Sequence, residues 1–220
     1  MSAPGGPSRA ACVSKVDRDC PRCARLVGFR NDWRKREPTW HNAPVASFGP
    51  LEARLLIVGL APGLQGANRT GRPFTGDFAG DLLYATLQEY GFAIGTYAAR
   101  PDDELTLADA RITNAVRCVP PENKPIGAEI ANCRSYLKAT IAEMPNLAAI
   151  VPLGRIAHDS TVAALGRRPA AVPFGHGTAH PLDPIMLFDS YHCSRYNTNT
   201  GVLTAGMFRA VFAAVRKHLE

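Results

Sequence analysis

The sequence predicts an α/β fold, a three-layer α/β/α sandwich around a central, mostly parallel four-stranded sheet, and three observations carry that expectation. From Arg54 onward, short apolar runs alternate with stretches of helical character, the pattern of successive βαβ units. The runs are mostly apolar or β-branched, as strands covered by helices on both faces must be. At 220 residues the chain suffices for one domain with a substantial core, and no repeat or shift of composition marks a second.

Taken in order, residues 1–13 are rich in Pro, Gly, Ser and Ala and lack a basic start followed by an apolar core. They read as a flexible lead rather than a signal peptide, with residues 14–220 forming the single domain. Strands are expected at Arg54–Leu60 (RLLIVGL), Arg111–Cys118 (RITNAVRC), Leu147–Leu153 (LAAIVPL) and Ile185–Tyr191 (IMLFDSY). Between them lie helices from about Asp77 to Tyr90, stopped by Gly91, from about Ile126 to Met144 after Pro125, and from about Arg155 to Leu165, stopped by Gly166. A last helix runs from about Thr204 to Leu219.

Composition narrows the function. With 46% hydrophobic and 20% charged residues and no apolar run long enough to cross a bilayer, the chain is not expected in a membrane. It is expected in the cytoplasm, at the nucleoid if the source is bacterial, and as a monomer. Lys and Arg number 25 against 19 Asp and Glu, a formal charge of +6 with a pI of about 9.2, which favours a polyanionic partner. The six cysteines, in a reducing compartment, point to metal ligation or redox chemistry before disulfides. Cys20-Pro-Arg-Cys23 is a CxxC turn, whereas Cys118 and Cys133 are too widely spaced for a zinc-ribbon knuckle.

In an open α/β sheet the ligand sits beyond the carboxyl ends of the strands. Strand one runs into Gly59-Leu60-Ala61-Pro62-Gly63, strand two carries Asn114 and then Cys118-Val119-Pro120-Pro121, and strand four delivers His192-Cys193-Ser194. The first of these, Gly59 to Asp77, holds five glycines and two prolines and is too long for an idle connection. It contains neither a Walker A loop nor a GxGxxG fingerprint.

GLAPGLQGANRTGRPFTGDFAGDLLY closely resembles the first motif of the family 5 (type B) uracil-DNA glycosylases, and TNAVRCVPPENKP and SYHCSRYNTNTG resemble its second and third. The resemblance runs from about Cys20 to the C-terminus. It implies the three-layer fold, a four-cysteine [4Fe–4S] cluster in preference to zinc, and hydrolysis of the N-glycosidic bond of uracil in double-stranded DNA. Other deaminated or damaged bases such as hypoxanthine, xanthine and ethenocytosine are implied as well. Leu60 and Ala61 leave the first motif without the carboxylate that other families carry there, which fits that wider scope and argues against a family 4-like enzyme strict for uracil.

Under this resemblance the residues take roles, each with a plainer competitor. Gly63 belongs to the backbone cradle of the base. Phe74 is the stacking platform, or a core aromatic anchoring the loop. Asn114 offers a donor and an acceptor to the O4 and N3–H edge of uracil, or ties down neighbouring backbone. His192 donates to O2 of the departing base, where negative charge develops, or is structural. Asp77 orients water or stabilises the cationic sugar, or caps the helix that starts there, and Asn68 is a second candidate for holding water.

The loop Arg195–Gly201 is expected to enter the minor groove, with Tyr196 as wedge and Arg195 on a phosphate, in company with Asn197, or else to be a solvated loop. Arg69 and Arg72 are expected on phosphates. Cys20, Cys23, Cys118 and Cys133 are the expected cluster ligands, while Cys193 stands where the family usually has Pro. His176 and His180 read as part of a mobile loop, and Arg34-Lys35-Arg36 near Trp33 and Trp40 as a solvated face. A non-catalytic iron–sulfur protein that binds DNA or senses redox state would account for the charge and the cysteines, but leaves Asn114, His192 and the Phe74 loop without work.

Overall fold

In the computed structural model, which describes residues 14–220, the chain enters through helix α1 (Ala24–Arg36). The lead expected over residues 1–13, Cys12 with it, lies outside the described residues. α1 buries Leu26 and Arg30, one turn apart, and places Arg34, Lys35 and Arg36 in its last turn, where cations complement the helix dipole. Trp33 and Trp40 stack at 5.5 Å with Arg36 over the Trp33 ring, so this basic run packs on its aromatics.

Strand β1 (Leu55–Gly59) follows, then a single turn α2 (Ala67–Thr70), helix α3 (Phe78–Glu89) and two short strands, β2 (Ala93–Ile94) and β3 (Thr106–Leu107), paired with each other. Strand β4 (Ala110–Asn114), helix α4 (Gly127–Ala142), strand β5 (Ala149–Pro152) and helix α5 (Arg155–Ala164) come next. Strands β6 (Ala179–Leu182) and β7 (Ile185–Phe188), the short α6 (Arg195–Asn199) and α7 (Ala205–Leu219) complete the chain.

The sheet has the order β4-β1-β5-β7-β6. Ile57 on β1 stands opposite Ile112 on β4 and Val151 on β5, both in parallel register, and β5 is parallel to β7. The four expected strands are thus present, but the sheet has a fifth: β6 pairs antiparallel with β7 at the edge. Its sequence, Ala-His-Pro-Leu, has no apolar run, and its Pro181 is tolerable only on an edge strand. His180 therefore belongs to a strand and not to a mobile loop. β4 stops at Asn114, short of the expected end, and residues 115–118 leave the sheet toward the cysteines.

Alternation along β1 divides the core. Leu55 and Ile57 join Leu83, Leu87, Phe208 and Phe212 from α3 and α7 on one face, whereas Leu56 and Val58 join Leu137, Ala157 and Val162 from α4 and α5 on the other. A third, smaller cluster of Leu26, Val116, Cys118 and Cys133 fastens α1 to α4. The first crossover out of β1 ends on its β4 side and the next returns to its β5 side. That reversal opens a crevice at the carboxyl ends of the strands.

Candidate active site and thiol centre

A cleft of about 740 Å³ opens there, lined among others by Gly63, Phe74, Asp77, Asn114, His192 and Arg195. Its floor exists because Gly59, the last residue of β1, has no side chain: a β-carbon there would strike Asn114 Oδ1 and the Phe74 ring. Phe74 is nearly buried, and its ring stacks beside that of His192 at 5.9 Å and 29°. Its backbone has φ +53°, in the left-handed region, which for a bulky residue stores strain of order 1–3 kcal/mol and recurs at ligand sites.

Asn114 is buried at the end of β4 with its amide on the cleft. His192 follows β7 by four residues. Burial holds its imidazole down to about 4, so the ring is neutral at neutral pH and has one N–H to give. Asn197 donates through Nδ2 to the His192 carbonyl at 2.8 Å. It thereby holds the His192 segment.

Asp77 does two things at once. Oδ1 accepts from Gly80 N at 3.3 Å and caps α3, while Oδ2 faces the space kept open by Gly63 and Gly66. Burial raises the Asp77 carboxyl above its ordinary range, opposed by the Gly80 and Ala79 amides and helped by the charge of Asp81.

The basic residues divide. Arg69 and Arg195 are exposed, Arg195 at the cleft with its guanidinium 5.3 Å from the Phe78 ring. Tyr196 is 74% exposed. The expected loop is instead the turn of helix α6, capped by Ser194 Oγ accepting from Asn197 N. Arg72 corrects the expectation of a phosphate contact: it is buried, with both terminal nitrogens on Asp103 at 2.7 and 2.8 Å. Asn68 is likewise turned inward, donating to Asn42 Oδ1 at 2.9 Å, and does not line the cleft. Among the lining residues to which the sequence reading assigned no role is Asn123, with φ +57° just after Pro120-Pro121. The available signal was the turn chemistry of Pro-Pro-Glu-Asn, since Asn tolerates left-handed backbone.

A second, small space is lined by Cys20, Cys23, Cys118 and Cys133 together with Arg30 and Tyr136. N–H groups point at the sulfurs: Arg117 N to Cys133 at 3.4 Å, Arg30 Nη1 to Cys118 at 3.7 Å and Asn132 Nδ2 to Cys23 at 3.7 Å. Arg30 Nε is buried beside them without a partner among the described residues. Among the described residues, no three of the four sulfurs lie within 4.8 Å of one another. Cys193 is elsewhere, buried in the main core and donating to Ala79 O at 3.5 Å.

His158, His180 and Asp189 form a third polar cluster. His158 Nδ1 meets Asp189 Oδ1 at 2.6 Å and its Nε2 meets Val172 O at 2.7 Å. Although burial opposes the charge, these two acceptors raise the His158 pKa. The ligand atoms of His158, His180 and Asp189 lie within 4.8 Å of one another. Asp189 also accepts from His180 at 3.0 Å, and His176 accepts from Tyr191 N through Nδ1 and stacks on the Tyr191 ring.

The family model of the Uracil DNA glycosylase superfamily matches residues 46–216. A Type-5 uracil-DNA glycosylase of Thermus thermophilus is 44% identical over 205 residues, covering 90% of this chain and 93% of the relative. Type-5 uracil-DNA glycosylases of Pyrobaculum aerophilum and Mycobacterium tuberculosis are each 38% identical, covering 84% and 90% of this chain and 83% and 77% of those relatives. With a family model that spans the cleft residues and a relative 44% identical over most of both chains, the chain belongs to the uracil-DNA glycosylase superfamily and groups with its type-5 members.

Proposed function

We propose that this protein is a DNA glycosylase that hydrolyses the N-glycosidic bond of uracil in double-stranded DNA, with water as the nucleophile and free base and an abasic site as products. The observation that carries it is the convergence of Phe74, Asn114, His192 and Asp77 on one cleft. A base extruded from the duplex stacks on Phe74 and pairs its polar edge with Asn114. The neutral His192 donates toward O2, where the departing base gathers negative charge. The Oδ2 of Asp77 holds water or faces the developing positive charge of the sugar. Among the described residues no lysine lines the cleft, which favours water over a Schiff base.

No acid stands at Ala61 or Leu60, so nothing there penalises a purine or an enlarged pyrimidine, and hypoxanthine, xanthine and ethenocytosine are proposed as further substrates. Arg69 and Arg195 bind phosphates and Tyr196 wedges into the stack.

The four cysteines fit a metal cluster: sulfurs on one space, N–H donors aimed at them, and an orphaned Arg30 Nε beside them. Zn–S bonds of about 2.3 Å hold sulfurs about 3.8 Å apart around one tetrahedral zinc. The wider spacing here favours [4Fe–4S], held by Cys20, Cys23, Cys118 and Cys133. When bound, the cluster supplies a crosslink between α1, the β4 exit and α4, with no part in bond cleavage.

Release of free base from matched duplexes carrying uracil, hypoxanthine, xanthine or ethenocytosine tests the reading, with borohydride trapping run beside it. Release without trapping is expected. A trapped covalent complex would replace water by an amine, and binding without any release would leave a non-catalytic DNA-binding protein.

A further inference from the structure

Residues 93–107, the β2–β3 hairpin and its loop, contribute no residue to the cleft among the described residues. They nevertheless converge on the loop that presents Phe74. The Arg72 guanidinium is gripped by both oxygens of Asp103, and its Nε donates to Thr75 Oγ1 at 2.7 Å. Asp103 is itself fixed by the amides of Ala98 at 2.8 Å and Leu105 at 3.2 Å. The rings of Phe48, Tyr84 and Tyr97 surround the Arg72 carbon at 5.3, 5.7 and 5.9 Å.

Two phenols then seize the backbone on either side of the strained residue. Tyr84 Oη donates to Pro73 O at 2.6 Å and Tyr97 Oη to Phe74 O at 3.2 Å. Burial pushes the Tyr97 phenol up to about 12, so the donor keeps its proton. Gly80 completes the arrangement, because a β-carbon there would collide with the Phe74 carbonyl oxygen and crowd Tyr97 Oη. Left-handed backbone at a phenylalanine persists only where its surroundings over-determine it.

We propose that the 93–107 hairpin is a brace for the stacking platform: Tyr97, Asp103 and, through Asp103, Arg72 are positioning residues that hold Phe74 in its base-stacking pose without touching the base. The inference rests on the glycosylase reading above. Its content is that pocket rigidity, and with it the rate on a flipped base, depends on residues remote from the chemistry.

Tyr97→Phe deletes one hydroxyl and keeps the ring. Single-turnover release of uracil is expected to fall about 10-fold, with binding to abasic-site DNA within about twofold of wild type. In a Phe74→Ala background the same substitution is expected to add no further loss, because the brace then has nothing to hold. Wild-type rates in Tyr97→Phe, or an equal fold-loss with and without Phe74, overturn the brace. A wild-type protein that releases no uracil overturns the glycosylase reading and the brace with it, and that outcome is visible before any variant is made.

Discussion

The Asp77 carboxylate fills the space that a side chain at Gly66 would need: a β-carbon there would collide with Oδ2. The other oxygen caps α3 through Gly80 N. One carboxylate thus serves the helix and the cleft, and the two services are separable. Asp77→Asn retains an acceptor for the cap and loses the charge, so uracil release is expected to fall about 100-fold with the melting temperature nearly unchanged. Asp77→Ala loses both and costs about 1 kcal/mol of stability in addition. Base-release assays beside thermal melts of the two variants measure the split; equal activity of wild type and Asp77→Asn would reduce Asp77 to a cap.

His192 is held neutral by burial, at about 4 against 6.5 for a free histidine. Between those values the unfolded chain binds a proton that the folded chain refuses, so this group lowers stability as pH falls from 6.5 toward 4. Near pH 5 the loss is on the order of 2 kcal/mol. His192→Asn is expected to flatten that part of the stability profile. Nitrogen-15 spectra of the imidazoles are expected to show His192 uncharged at pH 6, and a ring titrating near 6.5 would contradict the neutral donor.

Arg69 and Arg195 are exposed, whereas Arg72 is locked onto Asp103. Arg69→Ala and Arg195→Ala are each expected to weaken DNA binding and to reduce the slope of log affinity against log salt by about 1. Arg72→Ala is expected to leave the slope alone and to destabilise the fold by about 3–5 kcal/mol, because it strands a buried carboxylate. Salt titrations of binding, with thermal melts, distinguish the two classes.

Cys20, Cys23, Cys118 and Cys133 line one space and Cys193 another. Cys118→Ser is expected to abolish visible absorbance and to lower the melting temperature by about 10 °C, the shift that 3–5 kcal/mol makes in a domain of this size. Cys193→Ser is expected to keep the absorbance of the untreated protein. A colourless wild type containing stoichiometric zinc would assign the site to zinc.

Period and position made much of this protein legible from its sequence alone. Four apolar runs with intervening helical stretches specify β1, β4, β5 and β7 and the helices between them, because a strand buried on both faces tolerates few other compositions. Gly59 and His192 could be placed at strand ends for the same reason, and the cleft is where such ends meet, whereas Asn114, expected within a strand, reaches the cleft because β4 stops there. What tertiary structure decided is which polar side chains face that cleft. Arg72 points inward because its partner, Asp103, arrives from a hairpin that no local pattern announces, and Asn68 because Asn42, in the connection between α1 and β1, offers it an acceptor. Strand β6 exists because β7 offers it an edge, and α6 forms where loop composition suggested none. Helical and strand periods are local properties of the chain, whereas the burial of a charge is settled by a counter-charge distant in sequence.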